Sequence, residues 1–233
     1  MSKNTDLTAF LGSGNLPTIS EADIAATLTE VVEEQGTSGG GVDYMSFSGK
    51  TGRYALGRDK EDVDAETPYI MEPQSIVEGY TCWKGQRPVD RVEWSVFDRA
   101  DRAIAKDNLT DHGPYRESAG EGWKKMLGFG VTELTQSDSR QNIKFACNSP
   151  SGNNAISDLF GKIAERVSAG EPHIPLVCFD SETFEAQEQK NYKPKLNIEV
   201  WQSREAVTAF LDGSMSEEDL LNGKKPKAKR VKK

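Results

Sequence analysis

Cysteine and histidine are scarce in this chain, and long apolar runs are missing altogether. Three cysteines (Cys82, Cys147 and Cys178) lie far apart, and His112 and His173 are the only histidines. No Cys-x-x-Cys pair occurs, whereas a structural zinc site takes four ligands, usually in closely spaced pairs. The set argues against a metal centre and a disulfide framework. It fits three reduced thiols of a cytosolic protein, buried in strands. No stretch approaches the roughly 20 apolar residues that span a bilayer. Met1 to Asn15 carries one lysine and no apolar signal core, so no membrane or secretory segment is expected. Catalytic signatures are missing too: there is no nucleophile elbow, kinase signature or paired-histidine metal motif. Gly49-Lys50-Thr51 looks like the end of a phosphate-binding loop, but such a loop needs another glycine where Tyr44 stands. Strand-like residues follow it, so Ser48 to Gly52 is read as a hairpin turn. The chain is expected to be non-enzymatic and to use no cofactor.

Charge is plentiful and unevenly spread. Of 29 Lys and Arg and 37 Asp and Glu, seven bases and no acid fall in Lys224–Lys233. Residues 1–223 therefore hold 22 bases against 37 acids, a net of −15. General duplex binders carry a broad basic face. An acidic body with a cationic end instead suits a local binding surface on a protein that discourages non-specific adhesion.

The patterning divides the chain into three parts. In residues 1–41, Ser20 reads as an N-cap with Asp23 behind it, followed by Ile24, Leu28, Val31 and Val32 at helical spacing. The pattern predicts an amphipathic helix over 21–35, ended by the glycine-rich hinge Gly36–Gly41. Residues 42–212 have the texture of a β-rich domain. Hairpin strands flank 48–52, and further strands are predicted at 75–83, 89–97, 123–134, 142–147, 174–179 and 195–201. A helix capped by Asn153 or Asn154 carries Ile156, Leu159, Phe160, Ile163 and Val167, and a shorter one spans 204–211. Residues 98–122 read as a polar, mixed segment, with a helix over Asp101–Lys106 broken at His112-Gly113-Pro114, and 180–194 as a charged connection. Residues 213–233 read as a disordered tail. Seven or eight short strands with a packed helix predict a mainly β (α+β) fold, an OB-like Greek-key barrel with insertions.

Aromatic residues interleave with bases along these strands. Tyr44, Phe47, Lys50, Arg53 and Tyr54 share the first hairpin. Tyr80, Trp83, Lys84, Arg87, Arg91 and Trp94 share the second. Trp123, Lys124 and Lys125 open the next strand, and Lys190, Tyr192, Lys193 and Lys195 lie in the last connection. Single-strand binders need this mixture, with flat rings for stacking and cations that track phosphate. Strand alternation puts only part of any such set on one face, and the remainder goes to the core. The bases Lys224, Lys225, Lys227, Lys229, Arg230, Lys232 and Lys233 form a run whose self-repulsion, together with Pro226, opposes helix. That run is suited to loose phosphate contact, to docking on the acidic body, or to nuclear import in a eukaryotic host.

Tyr54-Ala55-Leu56-Gly57-Arg58-Asp59, Val77-Glu78-Gly79-Tyr80-Thr81-Cys82-Trp83-Lys84-Gly85 and Asn197-Ile198-Glu199-Val200-Trp201 carry a resemblance to phage-type single-stranded DNA-binding proteins of OB type. The resemblance covers residues 42–202. It implies a cofactor-free barrel that coats transient single strands during replication or recombination, in the cytoplasm of a bacterial or phage-infected cell. The partners it implies are single-stranded DNA, replication or recombination proteins, and other copies of the chain. Such proteins often end in an acidic tail, whereas this chain ends basic. The alternative expectation is a non-enzymatic structural or interaction component of a replication or virion assembly, docking through the helix at 21–35.

Overall fold

The computed structural model of the chain describes residues 42–85, 87–134, 142–186 and 189–226. The helix expected at 21–35, its hinge, and the basic residues Lys227, Lys229, Arg230, Lys232 and Lys233 lie outside the described residues.

One ten-stranded sheet makes up most of the fold. Its strands are β1 (Val42–Phe47), β2 (Tyr54–Leu56), β3 (Glu61–Asp62), β4 (Tyr69–Met71), β5 (Val77–Lys84), β6 (Arg87–Ser95), β7 (Gly122–Glu133), β8 (Asn142–Cys147), β9 (Ile174–Ala186) and β10 (Gln189–Gln202). The main path runs β10-β9-β4-β7-β8-β1-β2-β3, while β5 and β6 branch off β7. The sheet is mainly antiparallel, with β1 and β8 parallel, and curls into a half-barrel.

The branch arises because β7 changes partner along one edge. Residues 122–128 of β7 pair with β5, and 131–133 pair with β4. Between them, Pro73–Ser75 form a single 3-10 turn that interrupts the ladder. Ser75 Oγ replaces the missing ladder bond by accepting from Gly130 N at 2.8 Å and donating to Glu72 O at 2.5 Å. Glycine is required next to this switch. A Cβ on Gly128 would stand 2.9 Å from Phe145 O, and one on Gly79 of β5 would stand 2.0 Å from Val92 O.

Alternation then sorts the side chains. In β8, Ile143, Phe145 and Cys147 are buried while Asn142, Lys144 and Ala146 face outward. Across the ladder, Phe129 of β7 and Met45 of β1 join the buried side. Phe129, Phe145 and Phe179 pack with ring centroids 5.1–6.4 Å apart. The curl brings β2 back towards β9, where contact is made by Tyr54 OH donating to Asp180 O at 2.9 Å and Tyr192 N donating to Gly49 O at 2.9 Å.

Helix α2 (Pro150–Ser168) lays Ile156, Leu159 and Ile163 on this core. Its cap is Ser149, whose Oγ accepts from Gly152 N, and Pro150 occupies the first turn. The helix therefore begins earlier than the Asn153 or Asn154 cap expected from sequence, because proline at the first helical position lacks the N–H that would otherwise go unpaired. Asn153 ties the helix to β7 instead, accepting from Leu127 N and donating to Lys125 O, both at 3.2 Å.

Three other expectations are corrected. Residues 180–186 and 189–194 are not a loose connection but the outer part of a long β9–β10 ribbon, largely exposed or half-buried, with Pro194 buried. The segment 98–122 contains one short helix, α1 (Arg99–Arg102), and is fastened to the sheet at several points. Residues after 212 continue the fold through α4 (Glu217–Leu221), whose Leu220 is buried in a second small core with Phe210 of α3 (Arg204–Leu211), Ile174 and Leu176. No helix among the described residues is long and apolar enough to cross a membrane.

Tyr54 is only 3% exposed, and burial pushes its phenol well above the ordinary tyrosine range. Its hydroxyl works as a donor that ties β2 to β9. Replacing it in Tyr54→Phe keeps the ring and removes one buried hydrogen bond. The expected result is a loss of about 1 kcal/mol in unfolding free energy, measured by urea denaturation.

Candidate nucleic-acid interface

Register determines which aromatic and basic side chains meet. The face of β7 and β8 opposite the core continues across β1 through Tyr44 and Ser46, and across the β5–β6 hairpin through Trp83 and Arg91. Arg91 lies over the Tyr44 ring at 5.3 Å, and Lys144 of β8 pairs with Glu93 of β6. These two contacts draw the hairpin towards β1 and β8, leaving a groove between them. The β9–β10 ribbon closes its other end.

The groove has a volume of about 870 Å³. Five rings line it: Tyr44, Phe47, Trp83, Phe184 and Tyr192. Lys50, Lys60 and Arg91 supply cations, and among the described residues no carboxylate lines it. Tyr44 and Phe184 are 48% and 39% exposed, high values for rings that size. None of the three cations has a carboxylate within 4.0 Å among the described residues. Lys190 extends the cationic rim, its ammonium 5.5 Å from the Tyr192 ring centre. Cys147 also lines the groove, but burial pushes its thiol up to about 12. It stays protonated at neutral pH and is no nucleophile.

Of the residues singled out from sequence, the groove gathers Tyr44, Phe47, Lys50, Trp83, Arg91 and Tyr192. The others are placed elsewhere. Tyr54 is core, at the point where the sheet curls back on itself. Arg53 pairs with Asp62, and Lys193 with Glu182. Tyr80, Trp94 and Lys125 share the opposite face of the hairpin, where Trp94 is 8% exposed and donates to Glu78. Arg87 and Lys124 are exposed outside the groove. Lys224 pairs with Asp219 at 2.6 Å, and Lys225 lies beside it at the far end of the sheet from the groove.

Lys84 and Trp123 are committed to holding segment 98–122, which runs as a strap across the back of the hairpin. Lys84 Nζ donates to His112 O at 2.8 Å, and Trp123 Nε1 to Thr110 O at 2.9 Å. His112 Nε2 meets Asp90 at 2.7 Å, Arg99 meets Glu78 at 2.8 Å, and the Tyr115 hydroxyl sits 3.7 Å from Cys82 Sγ. The strap ends on Glu121, which takes Arg116 in a double contact and accepts from Gly85 N at the hairpin turn.

Sequence reasoning passed over Lys60 and Phe184. Lys60 stands in the acidic run that follows β2, which reads as a solvated loop. Its backbone is left-handed, at φ 58°, and its ammonium donates to Ser46 Oγ at 3.1 Å. Phe184 lies in the segment taken for a connection. The signal there was a lone aromatic among alternating charges, as an exposed ribbon shows.

Compared with models of known protein families, with curated proteins and with solved structures, the chain finds no match.

The strap's last anchor carries a pH signature. The Arg116 guanidinium foremost, then the amides of Arg116 and Gly85, holds the Glu121 carboxyl down to about 2. A depressed carboxylate favours the folded form above its ordinary range and stops doing so as pH falls through its folded value. The Glu121 carboxyl carbon and the Gly85 amide are therefore expected to titrate together near pH 2 by NMR, with the anchor intact at pH 4. A midpoint near 4 would show that the contact does not hold in solution.

Proposed function

We propose that this protein binds single-stranded nucleic acid, DNA by its resemblance, in the groove between β1, the β5–β6 hairpin and the β9–β10 ribbon. In this reading the curled sheet is an OB-type barrel that coats transient single strands during replication or recombination. One observation carries the proposal. On a body whose first 223 residues have a net charge of −15, the groove combines five rings and three cations with no carboxylate among the described residues.

The chemistry of a single strand matches each part. Unpaired bases offer flat faces, and stacking on an aromatic ring is worth about 1–3 kcal/mol per base. The phosphates need cations that are not already neutralised. Lys50, Lys60 and Arg91 meet that condition, whereas Arg53 and Lys193 do not. A duplex keeps its bases stacked inside and gives the rings nothing to stack on.

Titrating the full chain with oligo-dT while following tryptophan emission tests this. Trp83 is the tryptophan in the groove, so saturable quenching is expected in the parent protein and is expected to be mostly lost in Trp83→Phe. Three phosphate contacts at about −0.7 each give the groove a contribution near −2 to the slope of log K against log salt. The combined variant Lys50→Glu, Lys60→Glu, Arg91→Glu is expected to remove that contribution and weaken binding at least tenfold. Flat emission, or an unchanged slope in the charge-reversed protein, sinks the proposal.

A further inference from the structure

We propose a second strand-binding cleft on the back of the β5–β6 hairpin, so that a longer single strand passes over β6 from the groove into the cleft. The inference rests on the reading of the groove given above and extends the same ligand to a separate site.

The register places the cleft. Tyr80 of β5 lies directly opposite Lys125 of β7, and Glu78 directly opposite Trp94 of β6. In β5, residues 78 and 80 point away from the face that carries Trp83. Together with Ile104 of the strap, these side chains bound a cleft of about 320 Å³. Tyr80 and Trp94 pack with centroids 6.1 Å apart, and Ile104 forms the opposing apolar wall.

A carboxylate at this spot opposes a polyanion unless its charge is already met. Glu78 is 7% exposed. Its Oε1 accepts from Trp94 Nε1 at 3.0 Å and from Arg99 Nε at 2.8 Å, so its charge is paired internally. Lys125 at the mouth is exposed and has no carboxylate within 4.0 Å among the described residues. The cleft thus presents a ring and an unpaired cation, the groove's pairing on a smaller scale. A base laid on Tyr80 puts its phosphate within reach of Lys125.

Among the described residues β6 pairs with β5 alone, so its other edge is a margin of the sheet. Arg87 and Val89 are exposed towards the hairpin tip, and the acids of β6 are already met, Asp90 by His112 and Glu93 by Lys144. A strand leaving the groove past Arg91 would cross this edge.

The test compares a short oligo-dT of about 4 nucleotides with a long one of about 16, the span of known single-strand site sizes. Both are titrated against the full chain by fluorescence anisotropy. Lys125→Glu is a surface change, and Tyr80→Leu removes the ring while keeping an apolar side chain; thermal melts confirm that each variant is folded. Each is expected to weaken the long oligonucleotide about tenfold and to leave the short one unchanged. The groove variant Arg91→Glu is expected to weaken both. Should Tyr80→Leu fail to fold, Lys125→Glu carries the test alone. Unchanged long-oligonucleotide affinity in the cleft variants overturns the second site and leaves the groove standing. Equal weakening of both lengths overturns it as a separate site. If the parent protein binds neither length, the groove reading itself has failed. If an acidic peptide displaces nothing from the groove yet protects Lys125 from acylation where the long oligonucleotide does not, the cleft belongs to a protein partner and the proposal is wrong.

Discussion

One edge of β7 must satisfy two successive strands, β5 and then β4, across a break in the ladder, and the rest of the fold follows from that constraint. If β7 kept β5 as a partner along its whole length, the sheet would be an ordinary twisted ribbon with one buried face. The break at Pro73–Ser75 instead hands β7 over to β4. It remains hydrogen-bonded because the Ser75 hydroxyl supplies what the ladder lacks. Beyond the break, β4 and β9 curl with the core inside. Before it, the β5–β6 hairpin swings the other way. The same β7 and β8 therefore give one face to the core and the other to an open groove. Gly79 and Gly128 allow this, since a Cβ at either would meet backbone.

Charge is organised on the same plan. Outside the groove, acids and bases largely meet each other, as in Arg53–Asp62, Lys193–Glu182, Lys195–Asp180 and Arg204–Glu72. Most of these pairs are exposed and contribute little to stability. Lys50, Lys60 and Arg91 have no such partner among the described residues, and no carboxylate of those residues lines their groove. In the proposed reading, the excess of acid on the body repels polyanions elsewhere and sharpens local recognition.

Much of the fold was legible in the sequence because alternation and helical spacing are local. The strands at 142–147 and 123–134, the helix at 204–211 and the first hairpin all fall within a residue or two of their expected places. Only the outer part of the β9–β10 ribbon was missed, because its charged and largely exposed residues carry no apolar stripe. The α4 turn was missed because one buried leucine, Leu220, is too little pattern to register. The candidate site was half legible. Residue types announced rings and cations, but the face on which each lies depends on register, which is non-local. Tyr44 and Tyr54 sit in one hairpin with similar neighbours, but the pairing of Tyr54 with Phe47 puts it on the core face with Met45, opposite Tyr44. Lys84 and Trp123 have the chemistry of a binding residue, but the strap uses them before any ligand could.

That use of Lys84 and Trp123 bears on how Trp83 works. Among the described residues its buried indole N–H has no acceptor, and the ring's position depends on the backbone beneath it. A two-stranded hairpin is marginal by itself, and beyond β7 the β5–β6 pair has no further strand to brace β6. The strap provides the brace from behind, through Arg99, His112, Tyr115 and Glu121. A ring held in place before the ligand arrives loses less freedom on binding than a mobile one. The polar insertion that looks dispensable in the sequence thus braces the hairpin whose opposite face carries Trp83, the stacking surface of the proposed reading.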